Sequence, residues 1–287
     1  MYEHELTTAL LLANAAAERI IEIYASDFTA EQKLGVDDHY EPVTAADKDA
    51  SRIIVAGLTA EFPEDAVLSE EETDNTDLRQ LAKRVWIVDP IDGTAGFIKK
   101  DGDFAVQVGL ADSGIAVVGV VLLPFYQQTY YASKGSGSFS KIRDGDPVRL
   151  QTSAVSDPTK MSAAVSRHHP SARTSQIIEH FGFGRVIRRG SVGLKVGLIA
   201  DRSCDIYIHP SPRTKLWDTC APQIILEEAG GRFTDIFGGE YRYDRRELRN
   251  LNGIMATNGA SHDNAVERLK PLLREFDRQR VELADPR

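Results

Sequence analysis

Cysteine is nearly missing from this chain of 287 residues, with Cys204 and Cys220 the only two. Their spacing suits neither a metal-binding pair nor a redox pair, which argues against a disulfide framework and leaves two buried thiols as the expectation. Long apolar runs are missing too. No segment approaches the roughly 20 continuous apolar residues of a membrane span, and the N-terminus carries acids where a secretory signal carries basic residues. A soluble, cytoplasmic protein without a membrane partner is expected. Basic residues are outnumbered, 34 Lys and Arg against 43 Asp and Glu, for a formal charge of -9. That deficit argues against a nucleic-acid partner. It leaves room for a small anionic substrate, because bound metal reverses the local field of an acidic pocket. Walker A, His-Glu-x-x-His and Gly-x-Ser-x-Gly sequences are all absent, which removes the usual nucleotide loop, zinc peptidase and serine hydrolase.

What remains is a globular composition, 42% hydrophobic, organised around Val85-Trp86-Ile87-Val88-Asp89-Pro90-Ile91-Asp92-Gly93-Thr94. Val85 to Val88 has the β-branched and aromatic content of a buried strand, and Asp-Pro followed by Asp-Gly turns the chain sharply. One tight turn can aim Asp89, Asp92 and the Ile91 carbonyl at a common point, which is the outline of a hard-cation site. A solvated turn is the plainer alternative. Ala66 to Ser69 reads as a short strand delivering Glu70 at its end, where the Asp89 strand also finishes if the two are neighbours. Thr44 is placed to cap a helix over Lys48 to Ala60, with Asp47 three residues on, so Asp47 has a structural reading beside a catalytic one. Asp218, at the start of a helix running to Glu228, has the same two readings.

Elsewhere the periodicity predicts a helix from Glu5 to Tyr24, a mobile loop from Ser26 to Glu41, and a linker or short helix with solvated charges from Asp74 to Arg84. Short antiparallel strands follow over Phe104 to Ala111, Ile115 to Leu123, Gln128 to Ala132 and Val148 to Leu150. Gly135-Ser136-Gly137-Ser138 reads as a turn. Beyond a polar boundary at Thr152 to Lys160 the pattern alternates: strands over Met161 to Val165, Arg185 to Ile187, Cys204 to Ile208 and Leu251 to Thr257. The intervening helices span Ser171 to His180, Ser191 to Ala200 and, at the end, Asn264 to Phe276, with a frayed tail after Arg278.

Pro42-Val43-Thr44-Ala45-Ala46-Asp47, Leu68-Ser69-Glu70-Glu71, Val88-Asp89-Pro90-Ile91-Asp92-Gly93-Thr94, and Trp217-Asp218-Thr219 with Glu228-Ala229-Gly230-Gly231 together resemble the magnesium-dependent, lithium-sensitive phosphomonoesterases of the inositol monophosphatase superfamily. The resemblance implies an α+β and α/β fold, a layered α-β-α-β-α sandwich. An N-terminal antiparallel-sheet lobe (1–155) would carry most metal ligands, and a C-terminal α/β lobe (156–287) would carry Asp218. It implies two to three Mg2+ ions: one on Glu70, Asp89 and the Ile91 carbonyl, a second on Asp89, Asp92 and Asp218, and a third near Asp47 and Glu70. Thr94, oriented by Asp47, would position and deprotonate the attacking water, with Glu70 in the catalytic set. Gly93, Thr94 and Asp218 would also contact substrate.

Ser166-Arg167-His168, Gly190-Ser191 with Lys195, Lys215-Leu216-Trp217-Asp218-Thr219-Cys220-Ala221-Pro222 and Phe97-Ile98-Lys99 resemble the branch of 3′(2′),5′-bisphosphate nucleotidases. That implies hydrolysis of the 3′-phosphate of adenosine 3′,5′-bisphosphate, a small-molecule phosphate ester from sulfur metabolism, by a monomer or homodimer. His168, Ser191 and Lys195 would line the nucleotide site, with Lys195 reaching phosphate. His168 also reads as surface polarity and Lys195 as a snorkelling lysine in an apolar helix. An inositol monophosphatase or another sugar-phosphate phosphatase is the alternative within the same chemistry.

Overall fold

The computed structural model describes residues 1–282. The first half of the chain contributes α1 (Glu3–Tyr24), β1 (Ala30–Leu34), β2 (Tyr40–Thr44), α2 (Ala45–Glu61), β3 (Ala66–Ser69), α3 (Thr76–Leu81), β4 (Arg84–Asp92) and α4 (Thr94–Ile98). Five strands follow: β5 (Ala105–Asp112), β6 (Ile115–Leu123), β7 (Gln128–Ser133), β8 (Gly137–Ile142) and β9 (Val148–Arg149). The second half alternates β10 (Ser162–Ser166), α5 (Ala172–Phe181), β11 (Arg185–Arg189), α6 (Val192–Ala200), β12 (Ile206–His209), α7 (Leu216–Glu228), β13 (Arg232–Thr234), β14 (Ile254–Thr257) and α8 (His262–Glu275).

Strands β3 to β9 lie side by side in one seven-stranded sheet, parallel between β3 and β4 and antiparallel thereafter. A five-stranded sheet has the order β11-β10-β12-β14-β13, its parallel pairs joined through α5 and α6.

Alternation along the strands decides the layers, since successive side chains face opposite ways. On β4, Trp86 and Val88 pack with Ala13, Ile20, Ile54 and Leu58 of α1 and α2. Val85 and Ile87 face the other way, toward Leu194 of α6 and Trp217, Ile224 and Ile225 of α7. The five-stranded sheet repeats this. Ala164, Tyr207 and Ala256 join the core around α6 and α7, whereas Ala163, Ile206, Ile208 and Met255 pack under Ile177, Phe181 and Leu269 of α5 and α8. The chain therefore forms the expected α-β-α-β-α sandwich. Helix α7 lies so close on the sheet that a Cβ added at Gly119 would stand 2.4 Å from the Ala221 carbonyl, a contact that only glycine permits. Both cysteines are buried, and Trp217 is a packing residue.

Several local expectations need correction. Residues 26–41 are not a loop throughout, because β1 and β2 pair as a hairpin from Ala30↔Thr44 to Leu34↔Tyr40. The segment hid this because Ala-Glu-Gln-Lys-Leu is almost entirely exposed and has no β-branched residue. Arg79 is not solvated. It is 2% exposed, pairs with Asp74 at 2.9 Å and donates to the Arg245 carbonyl. The tail after Arg278 is tied down as far as it is described: the Val281 N–H donates to Asn252 Oδ1 at 2.8 Å, and Asn252 Nδ2 returns a bond to the Val281 carbonyl. The rest of that expectation, residues 283–287, lies outside the described residues. No helix among the described residues is long and apolar enough to cross a membrane.

Candidate active site

Parallel pairing of β3 with β4 sets Ser69 beside Val88, so Glu70 and Asp89 emerge together at one end of the sheet. The Glu70 N–H donates to the Val88 carbonyl at 3.2 Å. The β4 register then shifts between Asp89 and Asp92, and Gly93, at φ +95°, turns the chain into α4. A Cβ there would stand 2.7 Å from the Asp103 carbonyl, so glycine is required on both counts.

Thr94 Oγ1 is 3.3 Å from Asp47 Oδ1 and 3.2 Å from the Ile91 carbonyl, and its one proton is shared between them. Asp47 arrives on α2, where Thr44 forms the expected capping box: Asp47 Oδ2 accepts from the Thr44 N–H at 2.7 Å and from its hydroxyl at 2.6 Å. Asp218, in the first turn of α7, likewise accepts the Lys215 N–H at 2.6 Å. Both acids are caps through one carboxylate oxygen, which leaves the second oxygen of each without a capping bond.

Asp89, Asp92 and Asp218 each present an oxygen, and the three lie within 4.8 Å of one another. Burial, and then the charges of Glu70, Asp92 and Asp218, push the Asp89 carboxyl well above its ordinary range. Asp218 is pushed up to about 8, by burial first and Asp92 second. Burial also raises Asp47, to about 6, against the two bonds from Thr44. In Asp92 the rise from burial is opposed by Lys195, the Ser191 hydroxyl and the Gly193 N–H. Asp89 Oδ1 is buried and has no hydrogen-bond partner. Converging carboxylates, an orphaned oxygen and the adjacent Ile91 carbonyl form an all-oxygen donor set that fits a hard divalent cation.

Glu70 stands next to this trio with a cation already upon it, Lys33 Nζ at 2.9 Å. The same ammonium pairs with Glu71, whose carboxyl is raised to about 7 by burial and by Glu70. Lys33 was invisible in the sequence, since nothing in a polar stretch 37 residues away marks it as a partner of Glu70.

The second half of the chain supports Asp92. Ser191, at φ +46°, caps α6. Its hydroxyl donates to Asp92 Oδ2 at 2.6 Å and accepts the Leu194 N–H at 3.0 Å, while the Gly193 N–H gives Asp92 Oδ2 a second bond at 2.8 Å. Lys195 does not snorkel. It is 3% exposed, and its ammonium donates to the carbonyls of Gly190, at 2.9 Å, and Ser191, 5.0 Å from the centre of the Tyr207 ring.

His168 belongs to a separate network. Its Nδ1 is 3.1 Å from Lys99 Nζ and its Nε2 2.7 Å from Asp101 Oδ2. Sequence reasoning also passed over Asp103, a fully buried carboxylate that binds the Gly190 N–H at 2.8 Å, the Tyr126 hydroxyl at 2.9 Å and Arg167 at 2.8 Å.

Residues 1–274 match the inositol monophosphatase family. The chain is 34% identical over 236 residues to the 3'(2'),5'-bisphosphate nucleotidase CysQ of Salmonella typhimurium, covering 82% of this chain and 92% of that one. It is 31% identical over 264 residues to a histidinol-phosphatase of Mycobacterium tuberculosis, covering 91% and 97%. Among solved structures, CysQ from Bacteroides thetaiotaomicron superposes with a TM-score of 0.74 at 29% identity, over 90% of this chain and 98% of that one.

Proposed function

This chain belongs to the inositol monophosphatase family, and from that premise we propose that it is a Mg2+-dependent phosphomonoesterase. In this reading it removes the 3′-phosphate from adenosine 3′,5′-bisphosphate, giving adenosine 5′-phosphate and phosphate. The bisphosphate is carried by one observation, the 34% identity to a protein of that name across 82% of the chain. The metal dependence is supported by the convergence of Asp89, Asp92 and Asp218.

Glu70, Asp89, Asp92, Asp218 and the Ile91 carbonyl would hold two Mg2+ ions, with Asp47 and Glu70 beside a third. Bound there, the cations would neutralise the phosphate and acidify the attacking water. Asp47, at about 6, is ionised at neutral pH and accepts a hydrogen bond from the Thr94 hydroxyl. The Thr94 oxygen is thereby turned to receive a hydrogen bond from the water and hold it in line with the phosphorus. Gly93, Thr94 and Asp218 would contact the substrate. Ser191 acts on Asp92, its hydroxyl opposing the rise that burial imposes and fixing the carboxylate in place.

A second reading, hydrolysis of histidinol phosphate, draws on the 31% identity to a histidinol-phosphatase over 91% of the chain; inositol 1-phosphate is the third substrate to compare. Phosphate release from the three esters with Mg2+, using Asp89→Asn as the blank, tests the proposal. Preferred turnover of the bisphosphate to adenosine 5′-phosphate supports it, and preference for either other ester overturns it.

A further inference from the structure

A cavity of about 810 Å3 opens at the start of β4, at the opposite end of the strand from Asp89 and Asp92. Val85 lines it, so about 13 Å of strand separates it from Asp89. Its volume falls in the roughly 300–1,000 Å3 range of small-molecule sites. One wall holds a buried cation without a counter-ion. Arg245 is 4% exposed, and its guanidinium donates only to neutral acceptors: the Arg242 carbonyl at 3.1 Å, the Arg249 carbonyl at 2.6 Å and Asn250 Oδ1. Three of its five N–H groups are thus used and two remain. No carboxylate pairs with it among the described residues. Glu247 acts on it from beyond ion-pair distance, with both carboxylate oxygens taken by Arg249.

Gln80 lines the same cavity, and its Nε2 is buried with no hydrogen-bond partner. Its neighbour Arg79 ties α3 to the arginine's own backbone, donating to the Arg245 carbonyl at 2.8 Å. The acids around the cavity do not supply the missing charge. Asp244 pairs with Arg242, Asp235 accepts the Phe237 and Gly239 N–H groups, and Glu240 and Glu282 are exposed. A buried charge is costly unless an anion meets it. A carboxylate brings one negative charge to one positive charge and matches the planar guanidinium fork, while Val85, Ala111 and Leu251 offer an apolar wall to the rest of such a molecule. Arg245 also begins a chain of bonds that ends at the acid cluster. Its Nη2 donates to Asn250 Oδ1, Asn250 Nδ2 donates to the Lys215 carbonyl at 2.7 Å, and the Lys215 N–H donates to Asp218 Oδ2 at 2.6 Å.

We propose that this cavity is an effector site for a small organic carboxylate, which Arg245 and Gln80 bind and which the Asn250 and Lys215 bonds couple to Asp218. The carboxylate draws the guanidinium toward itself and offsets the positive charge behind Asp218, which favours a divalent cation on the acids. Coupling of this kind is reciprocal, so the cation tightens the carboxylate by the same factor.

Benzoate and its neutral isostere benzamide are the probes. In calorimetric titration with EDTA present, the parent protein should bind benzoate at least about tenfold more tightly than benzamide. Gln80→Leu should weaken benzoate about fivefold, and Arg245→Gln should remove the margin. Equal affinities in the parent overturn the site, as does a margin that survives both substitutions. Gln80 is only half-buried, so its variant decides the matter even where Arg245→Gln fails to fold. In a second titration, without EDTA, saturating benzoate should lower the parent's Kd for Mg2+ about fivefold while benzamide leaves it unchanged. A Kd that benzoate does not move overturns the coupling to Asp218. Neither titration reads turnover, so the proposed reaction stands or falls apart from this site.

Discussion

Ser191 offers a substitution whose effects on fold and on metal affinity separate. Its hydroxyl makes two bonds, one to the buried Asp92 carboxylate at 2.6 Å and one from the Leu194 N–H at 3.0 Å. A hydrogen bond to a charged group contributes about 1.5–3 kcal/mol and an N-cap about 1 kcal/mol, so Ser191→Ala should cost about 3 kcal/mol. With unfolding entropy near 2.1 cal/mol/K per residue, that lowers the Tm by about 5 °C. Asp92, deprived of the hydroxyl, holds its proton more firmly, opposed by Lys195, the Val192 N–H and the Gly193 N–H at 2.8 Å. The Mg2+ concentration for half-maximal activity should rise about tenfold, the equivalent of about 1.4 kcal/mol of binding. Ser191→Gly loses the same bonds but relieves a backbone at φ +46°, ψ +133°, a region left mainly to glycine, and should regain about 1 kcal/mol. Thermal melts and Mg2+ titrations of both variants decide the matter. An unmoved Mg2+ midpoint in both makes Ser191 a helix cap alone, and a glycine variant less stable than the alanine one refutes the strain argument.

Asp89→Asn removes one charge from a buried like-charged cluster, so the metal-free protein should gain about 1–3 kcal/mol in chemical denaturation while losing its thermal shift with Mg2+. Gln107 is fully buried, faces Asp89 across the β4–β5 ladder, and has no hydrogen-bond partner at either amide atom. Gln107→Leu should therefore stabilise by about 1 kcal/mol, and a loss of that size would reveal a bond the amide makes when the site is loaded. His262 is buried between Thr234 and Thr257, and its pKa is lowered to about 4, chiefly by burial. Its neutral form is favoured by folding, so stability is complete above about pH 6.5 and falls toward pH 4. At about pH 5 the loss is about 2 kcal/mol; urea titrations at the two pH values measure it, and an equal slope in His262→Gln would contradict it.

How much of this was legible depends on whether the partners lie within a few residues. The Thr44–Asp47 cap, the Asp89 to Thr94 turn and the alternation of β4 are local, and each was readable. The parallel neighbour relation of β3 and β4 was readable as a condition, because a strand ending in an acid has one economical place beside another such strand. The hairpin β1–β2 was not, since its exposed polar strands are specified by what they touch. Lys195 illustrates the reverse difficulty. A lysine in Val-Gly-Leu-Lys-Val-Gly-Leu reads as a side chain that must escape to water, and only the Gly190 and Ser191 carbonyls, brought over it by the positive φ at Ser191, make burial tolerable.

The same distance problem hides how the acids coexist. Glu70 raises the proton affinity of Asp47, Asp89 and Asp218, and Asp92 raises that of Asp89 and Asp218, and a fold that gathers these acids must offset that repulsion even before a cation binds. Three lysines do so from three sides: Lys33 on Glu70 and Glu71, Lys195 acting on Asp92, and Lys215 acting on Asp218. Two of the three also fasten the hairpin. Lys33 is part of β1, and Lys215 pairs with Glu41 of β2. The hairpin is thus held over the site by the charges that the site itself creates, which is why a strand pair with almost no core of its own is ordered there. A divalent cation bound on the acids would compete with Lys33 for Glu70, which would set loading of the site against the grip of the hairpin.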